Sequence, residues 1–152
     1  MTGGFPEDRL ERVLDGIETI ERSLGVLAQK RETTDRESYK SNSDTRDVVE
    51  RRFVKMTEAA IDIGKTIVIY EVGEPPGSNP KTMSVLGELG ILSEELAADM
   101  AGATRFRNVL AHTYGDAIDH DVVFNALADL ERYRRFVVAV SEYLESAGAF
   151  EE

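Results

Sequence analysis

The stretch SEELAADMAGATRFRNVLAHTY, residues 93–114, decides how the rest of the chain is read. Ser93 suits a helix N-cap, and apolar residues follow at helical spacing. At about 100° per residue, with Leu96 set at zero, Met100 falls near 40°, Ala103 near −20° and Leu110 near −40°. These positions form one apolar stripe. Arg107, near 20°, and Tyr114, near 0°, lie inside it, whereas His112 is rotated by about 140° from Arg107. An arginine on a packed stripe is costly unless it is paired, or unless the stripe opens onto a cleft or an interface. Gly102 and the surrounding alanines allow another helix to come close.

Similar patterns lie on both sides. Residues 6–29 carry Leu10, Val13, Leu14, Ile17, Leu24 and Leu27 at steps of three, four and seven, with Pro6, Glu7 and Asp8 suited to a helix start. KRETTDRESYKSNSDTR, residues 30–46, has no apolar stripe and reads as a loop or a frayed helix end. Ser43 or Asp44 then caps a second long helix with the stripe Val49, Phe53, Met56, Ala60, Ile63, Ile67 and Tyr70. It stops before the turn formers EVGEPPGSNP, residues 71–80. A short helix over residues 82–90 takes Thr82 as cap and Gly90 as stop. After GDAID, residues 115–119, Asp119 caps a last helix with Ile118 and Val123 as a hydrophobic staple. Its stripe is Val122, Ala126, Leu130, Tyr133, Val137, Val140 and Leu144. The predicted fold is all-α: an antiparallel, up-and-down bundle of four main helices plus one short helix, forming a single domain over residues 1–152.

Composition narrows the function. There is no cysteine, which excludes disulfides and thiolate metal sites. No apolar run approaches the roughly 20 residues that span a bilayer, and the N-terminus lacks signal-peptide character. The expectation is a soluble, cytoplasmic protein without a membrane partner. The net charge of −11 repels nucleic acid at long range, so any RNA contact must be local and made by a few arginines. Arg105 and the cluster Arg132, Arg134 and Arg135 are candidates, although such clusters are often solvated helix faces.

Histidine exchanges a proton near neutral pH, and arginine holds phosphate and stabilises the charge that builds up on it. Arg107 and His112 therefore suit metal-independent cleavage of an RNA backbone, in which the ribose 2′-OH attacks the adjacent phosphate. For His112 to work with Arg107, either the helix bends or ends around Ala111, or a second subunit completes the site. A plainer reading of the same residues stands beside this one. Arg107 pairs with a carboxylate, Asn108 is a surface residue, His112 caps the helix carbonyls, and Tyr114 is core. His112 and His120 lie eight residues apart, with Asp116, Asp119 and Asp121 close by; a metal site there is possible in principle, but acidic loop residues more commonly serve as solvated caps. No cofactor and no metal is expected. No glycine-rich phosphate loop, serine-hydrolase elbow or zinc-protease motif is present.

Arg107-Asn108-Val-Leu-Ala-His112-Thr-Tyr114 resembles the Arg-x4-His-x-Tyr motif of HEPN-domain toxins of the HepT type. The resemblance extends to MAGATRFRN before the motif, GDAIDHDVVFNAL after it and VVERRFVKMTEAAIDIGKTIV upstream, and it is weakest over residues 1–42. It departs at Ala111, where family members often carry a larger aliphatic residue. The resemblance implies a HEPN-like helical bundle acting as a homodimer, with metal-independent endoribonuclease activity and RNA as substrate. It makes the chain the toxin of a type VII HEPN/MNT toxin–antitoxin system. Its partner would be a minimal nucleotidyltransferase (MNT) antitoxin, in complexes that can assemble beyond the dimer. Carried over residue by residue, Arg107 polarises phosphate, His112 is the acid/base, Asn108 orients the site and Tyr114 is the target of AMP transfer. The alternative is a non-catalytic HEPN module that binds a nucleotidyltransferase or a nucleotide.

Overall fold

A computed structural model describes residues 4–113 and 117–150. The described residues form helices and turns, with no strand. Four main helices make the bundle: α1 (Glu7–Thr33), α3 (Ser43–Val72), α5 (Glu94–His112) and α7 (Glu131–Ser146). Three short helices lie in the connections: α2 (Arg36–Ser41), α4 (Asn79–Glu88) and α6 (His120–Ala126). The main helices close a ring, α1 on α3, α3 on α5, α5 on α7 and α7 on α1. Each connection returns the chain antiparallel to the preceding main helix, giving the expected up-and-down bundle.

The core follows the apolar stripes. Val13, Ile17, Leu24 and Leu27 of α1 are buried against Val49, Phe53, Met56, Ala60, Ile63 and Ile67 of α3, with Tyr133, Val140 and Leu144 from α7. Leu14 and Val122 do not belong to it: both are exposed. Ile20 and Phe136, which fall on the true stripes of their helices, are fully buried instead. Inside the core the Thr57 and Tyr133 hydroxyls share a 2.6 Å hydrogen bond that ties α3 to α7. Close approach is set by glycine. A Cβ on Gly64 would lie 2.7 Å from the Thr82 side chain, so α4 can sit on α3 only because none is there.

Four boundaries differ from the sequence reading. Residues 30–46 are helical over most of their length. α1 runs on to Thr33, and α2 follows within a capping box built by Asp35 and Ser38. α2 has one apolar anchor, Tyr39, which is fully buried, and a single anchor leaves no periodic stripe to read. Asn42, not Ser43 or Asp44, caps α3 by accepting from the Thr45 N–H. Ser78, not Thr82, caps α4, and Thr82 is a buried residue whose hydroxyl donates to the Ser78 carbonyl. Finally, the predicted last helix is two. α6 ends at Ala126 and α7 begins at Glu131, the turn between them anchored by buried Leu127 and Leu130. Ser93 and Asp119 cap α5 and α6 as expected, and Ile118 and Val123 are both buried.

Candidate active site

α5 carries the site. Its stripe of Leu96, Met100, Ala103 and Leu110 is buried, and Arg107 sits on that stripe with only 21% of its side chain exposed. The guanidinium is held from two sides. Nη1 donates to Asn108 Oδ1 at 3.2 Å, and Nη2 lies 3.4 Å from Glu58 Oε1 across the interface with α3. Nε is buried and has no hydrogen-bond partner among the described residues. Nearby, Phe106 packs edge-on against Phe53 with ring centroids 5.4 Å apart, which fixes α5 against α3 one residue before the arginine.

The structure thus brings Arg107 and Asn108 together and adds Glu58, which the sequence reading had not singled out. The signal was faint: Glu58 is one acid among many, at the edge of a stripe that includes Ala60. His112 is not brought to Arg107. It is the last residue of α5 and is exposed. The helix keeps its phase through His112, so no bend around Ala111 returns the ring to Arg107. Among the described residues no hydrogen bond joins the two. His112 shares the outer face of α5 with Arg105 and Val109, which fall within about 60° of one another. Val109 is 54% exposed. Tyr114 and Asp116 lie outside the described residues.

Beside the Arg107–Glu58 pair, α3 and α5 enclose an open groove of about 550 Å³. Asp47, Arg51, Lys55 and Glu58 line it from α3 and Leu110 from α5. Glu50 lines it too, and burial, followed by the neighbouring Asp47, raises its carboxyl above the usual range.

The acids after the motif have other tasks. Asp119 accepts from the Asp121 and Val122 N–H groups as the α6 cap. Asp121 receives Arg36 Nη1 at 2.8 Å and Lys40 Nζ at 3.1 Å. These hydrogen bonds, Arg36 first, hold the Asp121 carboxyl below its ordinary range. Arg36 also donates to Asn125 and stacks over Phe124, so α2 clamps the helix that follows the motif. No group of metal-binding side chains occurs among the described residues. The basic cluster on α7 is committed as well: Arg132 to the Asp99 carbonyl and Asp129, Arg134 to Glu131, and Arg135 to Glu95.

Residues 15–140 match the family model described as ribonuclease HepT-like. The chain belongs to the HepT-like family. A tRNA nuclease HepT from Aphanizomenon flos-aquae is 33% identical over 129 residues, 84% of this chain and 86% of that protein. A putative RNase from Archaeoglobus fulgidus is 26% identical over 138 residues, covering 90% and 96% of the two chains. In fold, the chain is similar to the tri-AMPylated HEPN toxin of Shewanella oneidensis, solved in complex with its MNT antitoxin. That similarity has a TM-score of 0.77 at 21% identity and spans 86% of this chain and 97% of the other. No helix among the described residues of this HepT-like chain is long and apolar enough to cross a membrane.

Proposed function

We propose that this HepT-like chain is the toxin of a type VII HEPN/MNT pair and cleaves RNA without a metal. The observation that carries the reading is Arg107. It is a mostly buried arginine on a packed stripe, held by two side chains that a phosphate can replace, within a family whose relatives include a named tRNA nuclease. The Arg107 guanidinium binds the scissile phosphate and balances the charge that grows on its non-bridging oxygens. Asn108 holds the guanidinium in plane. His112 exchanges the protons: the 2′-OH loses one as it attacks phosphorus, and the 5′-oxygen gains one as the P–O5′ bond breaks. The products are a 2′,3′-cyclic phosphate and a 5′-hydroxyl. The reaction is a transesterification and consumes no water.

Because His112 projects from the outer face of α5, the reading includes a homodimer whose cleft gathers the two Arg107/His112 sets. Tyr114, two residues beyond His112, is the AMP acceptor for a nucleotidyltransferase partner. A bulky anionic group at that point would fill the cleft and pair with Arg107.

Expression of the chain alone should arrest growth, and His112→Ala should relieve the arrest. Co-expression with a cognate nucleotidyltransferase should add AMP mass to the chain, and Tyr114→Phe should abolish the addition. Growth arrest that persists in His112→Ala contradicts the assignment. The lack of any bond between Arg107 and His112 within one chain favours a second reading, a non-catalytic module that presents Tyr114 to its partner. Tight partner binding with no RNA cleavage at any salt concentration would select it.

A further inference from the structure

The α3–α5 groove has a feature that the proposed mechanism does not use. Arg51, Lys55 and Glu58 stand at positions i, i+4 and i+7 of α3, on one face and on successive turns. The three span about 10 Å along the helix axis. Glu58, the last of them, holds Arg107. Arg51 and Lys55 are exposed and line the groove, and neither makes an ion pair or a side-chain hydrogen bond among the described residues. Other cations, such as Lys65, Lys81 and Arg105, are also without an ion pair among the described residues, but Arg51 and Lys55 are the two that line this groove, whereas the Arg132, Arg134 and Arg135 cluster is paired. Two unpaired cations therefore lead, turn by turn, to the candidate catalytic arginine. Their spacing is comparable to that of adjacent phosphates on an extended single strand. The free carboxylates of the groove, Asp47 and Glu50, come at the end away from Glu58 and bound the track there.

We propose that Arg51 and Lys55 form a subsite for the sugar–phosphate backbone, binding phosphates next to the one held by Arg107 and so setting which way the RNA strand enters. The subsite rests on the ribonuclease reading and adds the contacts by which an acidic protein holds an anionic substrate. Contacts of this kind are made to phosphates and carry position, not sequence.

The test uses a short fluorescent 2′-O-methyl RNA strand, which keeps every phosphate but lacks the attacking hydroxyl. Its binding is followed by anisotropy over a range of salt concentrations, for the full chain and for an Arg51→Gln/Lys55→Gln double variant. Each lost phosphate contact on a single strand should make the slope of log affinity against log salt shallower by about 0.7, hence by about 1.4 for the pair. Lys65→Gln/Lys81→Gln, which removes two exposed lysines outside the groove, should leave the slope unchanged. If the unaltered chain cleaves RNA but the groove variant binds with an unchanged slope, the subsite is wrong and the ribonuclease reading stands. If the unaltered chain neither cleaves RNA nor binds the probe, both fall. Weaker binding together with a changed sedimentation coefficient would assign the two cations to a subunit contact and overturn the proposal.

Discussion

Arg107 and Arg132 are both mostly buried, yet what holds them differs. Arg132 donates to the Asp99 main-chain carbonyl, lies over the Tyr133 ring and pairs with Asp129 close by in sequence. Arg107 is held by an amide and a carboxylate from side chains, and a phosphate offers its guanidinium a better partner. Arg107→Ala should lower the cleavage rate by about 10²–10³-fold. Arg107→Lys should recover little of it, because a lysine ammonium cannot present the planar fork. His112→Ala should cost about 10²–10⁴-fold. Single-turnover assays on folded protein measure all three. Two core tyrosines give a contrast in stability. Tyr133 shares its hydroxyl with buried Thr57, so Tyr133→Phe should lower unfolding free energy by about 1–3 kcal/mol. The buried Tyr39 hydroxyl has no hydrogen-bond partner among the described residues, and burial, the first of several causes, pushes its pKa upward. Tyr39→Phe should therefore leave stability unchanged or raise it. Urea unfolding of the two variants compares these outcomes.

At the scale of the elements, the clamp of α2 on α6 is electrostatic and responds to acid. The Asp121 carboxyl is held below its ordinary range in the folded protein. Its contribution is thus complete above the unfolded-state value of about 3.9 and is lost as pH falls through the lower folded value. The stability gap between the unaltered chain and Asp121→Asn should be present at neutral pH and close in acid; a gap that persists below the folded value would contradict the clamp. Thermal unfolding over a pH series reads it. On the packed side, Gly64→Ala places a methyl against Thr82 and should destabilise by about 1–3 kcal/mol. The same elements show what could be read in advance. α1, α3, α5 and α7 declare themselves because each repeats apolar residues over several turns. α2 escapes because Tyr39 alone anchors it, its remaining hold coming from Arg36 and Lys40, whose partners lie more than eighty residues away. The break between α6 and α7 escapes because buried Leu127 and Leu130 continue an apolar pattern straight through the turn.

Over the whole molecule, Arg107, Asn108 and the groove lie within one chain, whereas His112 faces outward. The motif was legible as a local pattern of residues. The placement of Glu58 was not, because it depends on the register of α3 against α5. Nor does the order of residues along one chain show how two Arg/His sets come together. A homodimer is the arrangement that satisfies the proposed chemistry, and sedimentation of the purified chain should give twice the 16.9 kDa chain mass. The most direct test of the central claim is to incubate purified protein with RNA in the presence of a chelator and determine the chemistry of the new ends. The account predicts 2′,3′-cyclic phosphate and 5′-hydroxyl ends that appear without divalent metal and vanish in His112→Ala. Cleavage that requires a divalent metal, leaves 3′-hydroxyl ends or survives in His112→Ala would contradict it.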